Sequence, residues 1–357
     1  MSHATIYDGL RTPFGRHAGA LATVRPDDLL AGLLAELVRR NPIPAGAIED
    51  VVVGCTNQAG EDARDVARHA SLLAGLPESV AGVTLNRLCG SALAAVADAA
   101  RAVRCGEGDL FLAGGVESMT RAPFVMAKQG SAWGRDVRVH DSTIGARFSN
   151  PRLDAGFGTD SMPETADNIA RDLGIGRAES DAFALRSQEK YEAARACGFH
   201  DGEILPVEIA QGRGKPPIVV AADEHPRPQT TLASLEKLRP LFDGGVVTAG
   251  NASGINDGAA ALLVGSQALA DRHGVPPRGR ILASAVAGVA PRVMGLGPVP
   301  ASKKALERAG LRLSDMDVIE INEAFATQVL GCLRGLDLAA DDDRLNPNGG
   351  AIAIGHP

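Results

Sequence analysis

Large rings are scarce in this chain: aromatics make up 3% of its 357 residues, with one Trp and two Tyr. A core without them is assembled from Ala, Val, Leu and Ile, with close backbone approaches at some of the 42 Gly. Such a composition suits helices packed tightly on a sheet better than an aromatic-rich binding module. Excess positive charge is lacking too. The formal net charge is −7, which argues against a nucleic-acid partner, because that needs clustered Lys and Arg. It leaves room for a local basic patch on a small phosphate-bearing ligand. No apolar run has the length of a membrane span, so no membrane partner is expected. Residues 1–24 contain no apolar stretch between a basic start and a small-residue cleavage site, so no signal peptide is expected.

Paired cysteines and metal-ligand spacings are also missing. The five cysteines are Cys55, Cys89, Cys105, Cys197 and Cys332, widely separated and without a C-x-x-C. That excludes a disulfide framework and a zinc site, and it predicts a reducing, cytoplasmic location. No pair of His has metal-ligand spacing. Gly212-Arg213-Gly214-Lys215 lacks the earlier Gly and the Ser/Thr of a phosphate-binding loop. Gly295-Leu296-Gly297 does not continue as a dinucleotide fingerprint. No metal site is expected.

What the chain does have is alternation. Short Val/Ile-rich runs at residues 51–54, 110–113, 260–264, 281–287 and 318–321 read as strands. Ala/Leu-rich stretches at 26–39, 91–104, 178–196 and 302–309 read as helices. The order predicts an α/β fold with mainly parallel pairing. Residues 120–248 are polar and irregular apart from one helix, and they are read as a lid inserted into the first α/β unit. The first unit then comprises 1–119 and 249–277, and the second 278–357.

Three local patterns carry chemistry. In Val83-Thr84-Leu85-Asn86-Arg87-Leu88-Cys89-Gly90-Ser91 an extended run meets an uninterrupted helix former, with Gly106 placed to end the helix. Cys89 therefore sits at the helix start, facing unpaired N–H groups and the positive dipole end, where a thiol's pKa is expected to fall. A space-filling core thiol is the competing reading of Cys89, and it is the preferred one for the other four cysteines. In Glu320-Ile321-Asn322-Glu323-Ala324-Phe325-Ala326 a strand turns into a helix. There Asn322 either caps that helix or faces the ligand crevice at the strand's C-terminal end. His356 lies between Gly355 and Pro357, which fix a turn able to hold an imidazole; a frayed chain end is the alternative. The other seven His read as surface or loop residues. In Thr248-Ala249-Gly250-Asn251-Ala252-Ser253-Gly254 a tight backbone can be approached by a narrow ligand, whereas Asn256 and Asp257 read as part of an ordinary connection.

These segments together resemble the thiolase family over the whole chain, with 11–15 and 114–119 also of family type. The resemblance implies two similar α/β halves with a lid, assembled as a homodimer or homotetramer, with CoA and acyl-CoA as substrates and therefore no bound cofactor or metal. By the family pattern Cys89 takes up the acyl group. His356 activates it and, with a water held by Asn322, binds the thioester oxyanion. Ser253 contacts the pantetheine arm, Arg227 lies near the adenine end, and Met162 lines the cleft; Ala249, Gly254, Ala324 and Phe325 complete the CoA-binding set. Residues 57–62, 144–151 and 160–165 resemble the 3-oxoadipyl-CoA thiolases of aromatic degradation. A dicarboxylic acyl chain is expected, with Arg147 as candidate partner of its far carboxylate. The alternatives are an acetoacetyl-CoA thiolase and a non-catalytic CoA-binding relative. Thiolases continue past Gly-His-Pro with a second catalytic Cys, whereas this sequence stops at Pro357; a protein ending there would be expected to be crippled.

Overall fold

The structure, a computed structural model, describes residues 3–357. The chain runs through β1 (Ala4–Arg11), β2 (Gly15–Arg16), α1 (Pro26–Arg40), β3 (Asp50–Gly54), α2 (Val66–Leu73), β4 (Ala81–Leu85), α3 (Ser91–Cys105) and β5 (Leu110–Ser118). Hairpin β6 (Phe124–Met126) and β7 (Val139–Asp141) follows, then α4 (Pro151–Phe157), α5 (Met162–Leu173) and α6 (Arg177–Ala196). A second hairpin, β8 (Val207–Ile209) and β9 (Ile218–Val220), precedes α7 (Leu232–Glu236), β10 (Asn256–Ser266), α8 (Gln267–His273) and β11 (Gly279–Ile281). The chain closes with α9 (Pro298–Ala309), α10 (Ala326–Gly335) and α11 (Ala351–Ile354).

Seven strands form a mixed sheet in the order β11-β1-β10-β5-β3-β4, with β2 beside β10. β3 lies parallel to both β4 and β5, because α2 and α3 carry the chain back across the sheet between them. β10 runs antiparallel to β5 and to β1. The start of β10 therefore lies beside the C-terminal ends of the parallel strands. The two faces follow the period-2 alternation of β5. Leu110, Leu112 and Val116 join a core with α1 and α2. Phe111 and Ala113 point to the other face, against Ala99, Ala100 and Val103 of α3.

Two expected strands do not form. Residues 281–287 contribute only Ile281, at the end of β11, and 318–321 make a single bridge, Ile319 to Leu345. A Val/Ile-rich run becomes a strand only beside a partner, and beyond Ile281, which pairs with Ala4 of β1, no strand pairs with either run among the described residues. The stretch 120–248 is more regular than its composition suggested. It holds α5, whose start carries a Ser161–Glu164 capping box and a Pro in the first turn. Nor does this stretch keep a core to itself: Ile169 of α5 and Phe183 of α6 pack with Val329, Leu330 and Leu333 of α10 and with Ile352. The 120–248 stretch and the second unit thus meet around one apolar cluster.

Candidate functional site

Cys89 sits on the β4–α3 turn, two residues before the first residue of α3. Leu88 just before it adopts a left-handed φ of 51°, an uncommon conformation for a side chain of that size. The turn is clamped by Ser91. Its hydroxyl accepts the Arg87 N–H at 2.7 Å and donates to the Leu88 carbonyl at 2.6 Å. Asn86 accepts the Leu88 N–H at 2.8 Å and donates to the Thr56 carbonyl at 3.0 Å, tying this turn to the β3–α2 loop. Beneath it the α3 backbone lies directly on β3: a Cβ built on Gly54 would stand 2.3 Å from the Ser91 carbonyl carbon and 2.4 Å from the Ala92 nitrogen. Ser91 and Gly54 were passed over in the sequence, where nothing marks a Ser–backbone clamp or a Gly in contact with a helix.

The expected fall in the Cys89 pKa is not found. The residue is reachable from solvent, yet desolvation by the protein around its sulfur pushes the thiol up. A backbone N–H at Cys89 itself opposes the rise, and the nearby Glu117 carboxyl adds to it. Burial outweighs the backbone N–H. At neutral pH the thiol is therefore protonated and needs a base.

His356 is held at the same edge of the sheet. It forms a parallel bridge with Ile255, just before β10, and its N–H donates to Asn256 Oδ1 at 3.1 Å. Asn256 is fully buried and also donates to the Gly15 carbonyl at 2.9 Å. It is a mount for His356 and not the ordinary connector expected from sequence. Gly355 has φ 97°, and a Cβ there would lie 2.4 Å from Asn256 Cγ, so only Gly brings the chain past. His356 Nε2 stands 3.4 Å from Asn322 Nδ2. Burial holds the imidazole pKa below its ordinary value, so it is neutral near pH 7. In the tautomer protonated at Nδ1, Nε2 accepts from this amide and can take up a proton, as a base requires.

A buried polar network fixes the Asn322 segment. Glu323, next in sequence, is 1% exposed. It accepts from Ser187 Oγ at 2.6 Å, Asn346 Nδ2 at 2.8 Å and the Ile352 N–H at 3.1 Å. Desolvation nonetheless raises its pKa. Asn346 also pairs with both backbone groups of Ile321. Asn251, 1% exposed, donates to Asp181 Oδ1 at 2.9 Å, and its carbonyl accepts the Ala326 N–H at 2.9 Å. Residues 250–254 are thereby knitted to 322–326: Ser253 N–H donates to the Ala324 carbonyl at 2.9 Å and Ala252 bridges Phe325.

Asn322, His356, Ser253, Gly254, Ala324 and Phe325 thus form one cluster, at the end of the sheet where the Cys89 turn also lies. Ala249 is exposed at its border. Met162 lies at the exposed start of α5. Arg227 is exposed, its backbone N–H donating to Gln188 Oε1 at 2.9 Å and its guanidinium without an ion pair among the described residues. It connects to the cluster through His225, whose ring would meet a Cβ on Gly254 at 2.3 Å. His225 is therefore no loose surface residue; desolvation and Arg227 bring its pKa down to about 4. Arg147 donates to Asn57 Oδ1 and to the Gly145 carbonyl, each at 3.3 Å. Cys55 and Cys332 are buried and their thiols pushed up by desolvation, Cys332 to about 11. No group of ligating side chains that could hold a metal occurs among the described residues.

Comparison with known proteins gives a consistent picture. The family model "Thiolase, N-terminal domain" matches residues 4–268, and "Thiolase, C-terminal domain" matches residues 275–357. The chain is similar to a 3-oxoadipyl-CoA/3-oxo-5,6-dehydrosuberyl-CoA thiolase of Escherichia coli strain K12, 58% identical over 100% of this chain and 89% of that protein. It is 56% identical to a beta-ketoadipyl-CoA thiolase of Pseudomonas putida, again over 100% and 89%. Among solved structures it resembles Bacillus anthracis acetyl-CoA acetyltransferase, with TM-score 0.91, 37% identity and coverage of 100% and 88%. Human mitochondrial 3-ketoacyl-CoA thiolase in complex with CoA gives TM-score 0.91 at 37% identity, covering 100% and 87%.

Proposed function

Because the chain belongs to the thiolase family, we propose that it cleaves 3-oxoadipyl-CoA with CoA, giving succinyl-CoA and acetyl-CoA through an acyl-cysteine on Cys89. The observation that carries the chemistry is geometric: Cys89 stands on the turn into α3, at the same end of the sheet as His356, whose Nε2 lies 3.4 Å from Asn322 Nδ2. The substrate is supported by the names of relatives 56–58% identical to the chain, and a solved relative carries CoA.

In this reading His356 Nε2 takes the Cys89 proton. The thiolate attacks the 3-keto carbon, and the bond between C2 and C3 breaks. Its electron pair leaves with acetyl-CoA as an enolate, which is then protonated. CoA thiolate attacks the succinyl-cysteine, releases succinyl-CoA and restores the thiol. Negative charge grows on an oxygen in each addition, and an Asn322-held water together with an imidazolium N–H on His356 is the proposed donor pair. Ser253, Gly254, Ala249, Ala324, Phe325, Met162 and Arg227 are proposed to bind CoA. Arg147, on the loop before α4, is a candidate for the far carboxylate. A homodimer or homotetramer in the cytoplasm is the proposed state, with no bound cofactor or metal.

Mixing the protein with 3-oxoadipyl-CoA in the absence of free CoA should leave a succinyl group on the Cys89 peptide by mass spectrometry, and adding CoA should discharge it. Cys89→Ala should show neither adduct nor turnover, a loss of at least about 10⁴-fold. An adduct that persists in Cys89→Ala, or turnover of acetoacetyl-CoA alone, would defeat the assignment of nucleophile or substrate respectively.

A further inference from the structure

Glu117 is a buried carboxyl that the acyl-transfer scheme leaves unused. It lies near the end of β5, whose residues are all buried. Alternation along β5 turns Phe111 and Ala113 towards α3. Gly115 faces the same way, since a Cβ there would stand 2.7 Å from Ala92 Cβ in the first turn of α3. Glu117 is the next residue on this face, beyond the point where α3 begins, and the Cys89 turn leads into α3 at that end. The field of Glu117 reaches the Cys89 sulfur: after desolvation it is the other influence that pushes the thiol up.

A chain of hydrogen bonds joins the carboxyl to the turn. Gly115 pairs in register with Gly54, the last residue of β3, so Glu117 comes beside Thr56. Glu117 Oε1 accepts the Thr56 N–H. The Thr56 carbonyl accepts from Asn86 Nδ2 at 3.0 Å, and Asn86 Oδ1 accepts the Leu88 N–H at 2.8 Å. Leu88, at φ 51°, sets the direction in which the chain enters Cys89. The second carboxyl oxygen, Oε2, is buried without a hydrogen-bond partner among the described residues, which costs free energy. The charge of Glu117 opposes a thiolate and half of its carboxyl is unsatisfied. What it supplies to the site is an acceptor for Thr56.

We infer that Glu117 is a positioning residue for the nucleophile, holding Cys89 at its attack geometry through the Thr56 peptide and the Asn86 side chain. This rests on the reading of Cys89 as the residue that takes up the acyl group. A nucleophile has to be held by neighbours whose own positions are locked, and the β5 end is the fixed point here. Positioning and charge act with opposite signs. Removing a negative neighbour favours the thiolate and speeds Cys89. Removing the acceptor releases Thr56, and with it Asn86 and the turn, and slows attack.

The test is the rate at which Cys89 gains an acyl group from 3-oxoadipyl-CoA and from acetoacetyl-CoA without free CoA, followed by mass spectrometry, together with KM. Rates are taken per folded enzyme, from the melting curve of each variant. Glu117→Ala should acylate about 10- to 100-fold more slowly with KM little changed, because a displaced nucleophile loses rate and not binding. Any substrate the wild type accepts should be slowed alike, because the turn and not the acyl pocket is disturbed. Glu117→Gln keeps an oxygen on Thr56 and should acylate no slower than wild type. Asn86 is exposed, so Asn86→Ala breaks the same chain without opening the interior. It should slow acylation comparably, and the double variant should lose little more than either single one. Acylation of Glu117→Ala at or above the wild-type rate overturns the positioning role and leaves the nucleophile standing. A Glu117→Gln as slow as Glu117→Ala does the same, as do single losses that multiply in the double variant. A wild type that gains no acyl group on Cys89 from either substrate sinks the nucleophile reading and the positioning role together.

Discussion

The two loops that present Cys89 and the Asn322/His356 pair are held in different ways. The Cys89 turn rests on backbone contact: α3 lies on β3 at Gly54, with one serine closing the turn. Among the described residues the Asn322 and His356 segments join no sheet. They are fixed by buried amide and carboxyl groups, namely Glu323, Asn346, Asn251 and Asn256. A sheet supplies repeated hydrogen bonds, so a turn at its edge inherits rigidity. A loop without a sheet must satisfy each backbone group individually. The first arrangement is sensitive to volume and the second to the loss of hydrogen-bond partners.

The sharpest way to break this contrast is Glu323→Ala. It would strand the Ser187 hydroxyl, an Asn346 N–H and the Ile352 N–H in a dry interior. The expected cost is about 3–4 kcal/mol, read as a lower denaturation midpoint. Cys89 alkylation in the folded fraction should change little, because the Cys89 turn shares none of these bonds. Midpoints within about 0.5 kcal/mol of each other would show that water replaces the carboxylate and that the network is not what holds the loop.

Gly54→Ala probes the other side. Its methyl group would overlap the α3 backbone, which must move; about 1–3 kcal/mol is expected. Here the iodoacetamide rate at Cys89 should shift together with stability. A stability change with an unaltered alkylation profile would mean that the turn is set by Ser91 and Asn86 alone.

The smallest effect, and the one that sharpens the picture of the nucleophile, concerns Glu117. This carboxyl ends β5, accepts the Thr56 N–H with Oε1, and has Oε2 buried without a partner. Desolvation raises its pKa to about 7. An acid whose pKa is raised on folding favours the folded state while protonated in both states. That advantage declines as pH rises through the unfolded and then the folded value. Wild type should therefore lose stability between about pH 4.5 and 7 relative to Glu117→Gln, by about 1–3 kcal/mol. Above pH 7 the same variant should alkylate at Cys89 at a lower pH, because a negative neighbour has gone. Parallel stability curves for the two proteins would show that the Glu117 pKa is the same folded and unfolded.

The alternation of short strands with Ala/Leu helices disclosed the α/β class and placed α1, α3 and α6 within a residue or two. It misplaced strands at 281–287 and 318–321, because a Val/Ile run reports a preference for extended backbone but not the presence of a neighbour. It missed α5, although Ser161 and Glu164 spell a capping box. For the site, Cys89, Asn322 and His356 could be singled out because each stands beside glycines or at an element boundary. Glu117, Asn251, Asn256, Glu323 and Asn346 were not singled out for the roles they take. A lone polar residue in a small-residue run looks the same in sequence whether its side chain is dissolved in water or buried against a backbone far along the chain.

By itself, then, the sequence determined the fold class, the helix mount of the thiol and the residue types that chemistry beside it requires. These follow from local periodicity, turn residues and side-chain reactivity, all of which act over a few neighbours. Tertiary structure alone decided the protonation states. The helix start was expected to lower the Cys89 pKa, and burial raised it; His356 is neutral because the fold removes water from it. Desolvation depends on which distant segments close over a group, and no local pattern in the chain carries that information.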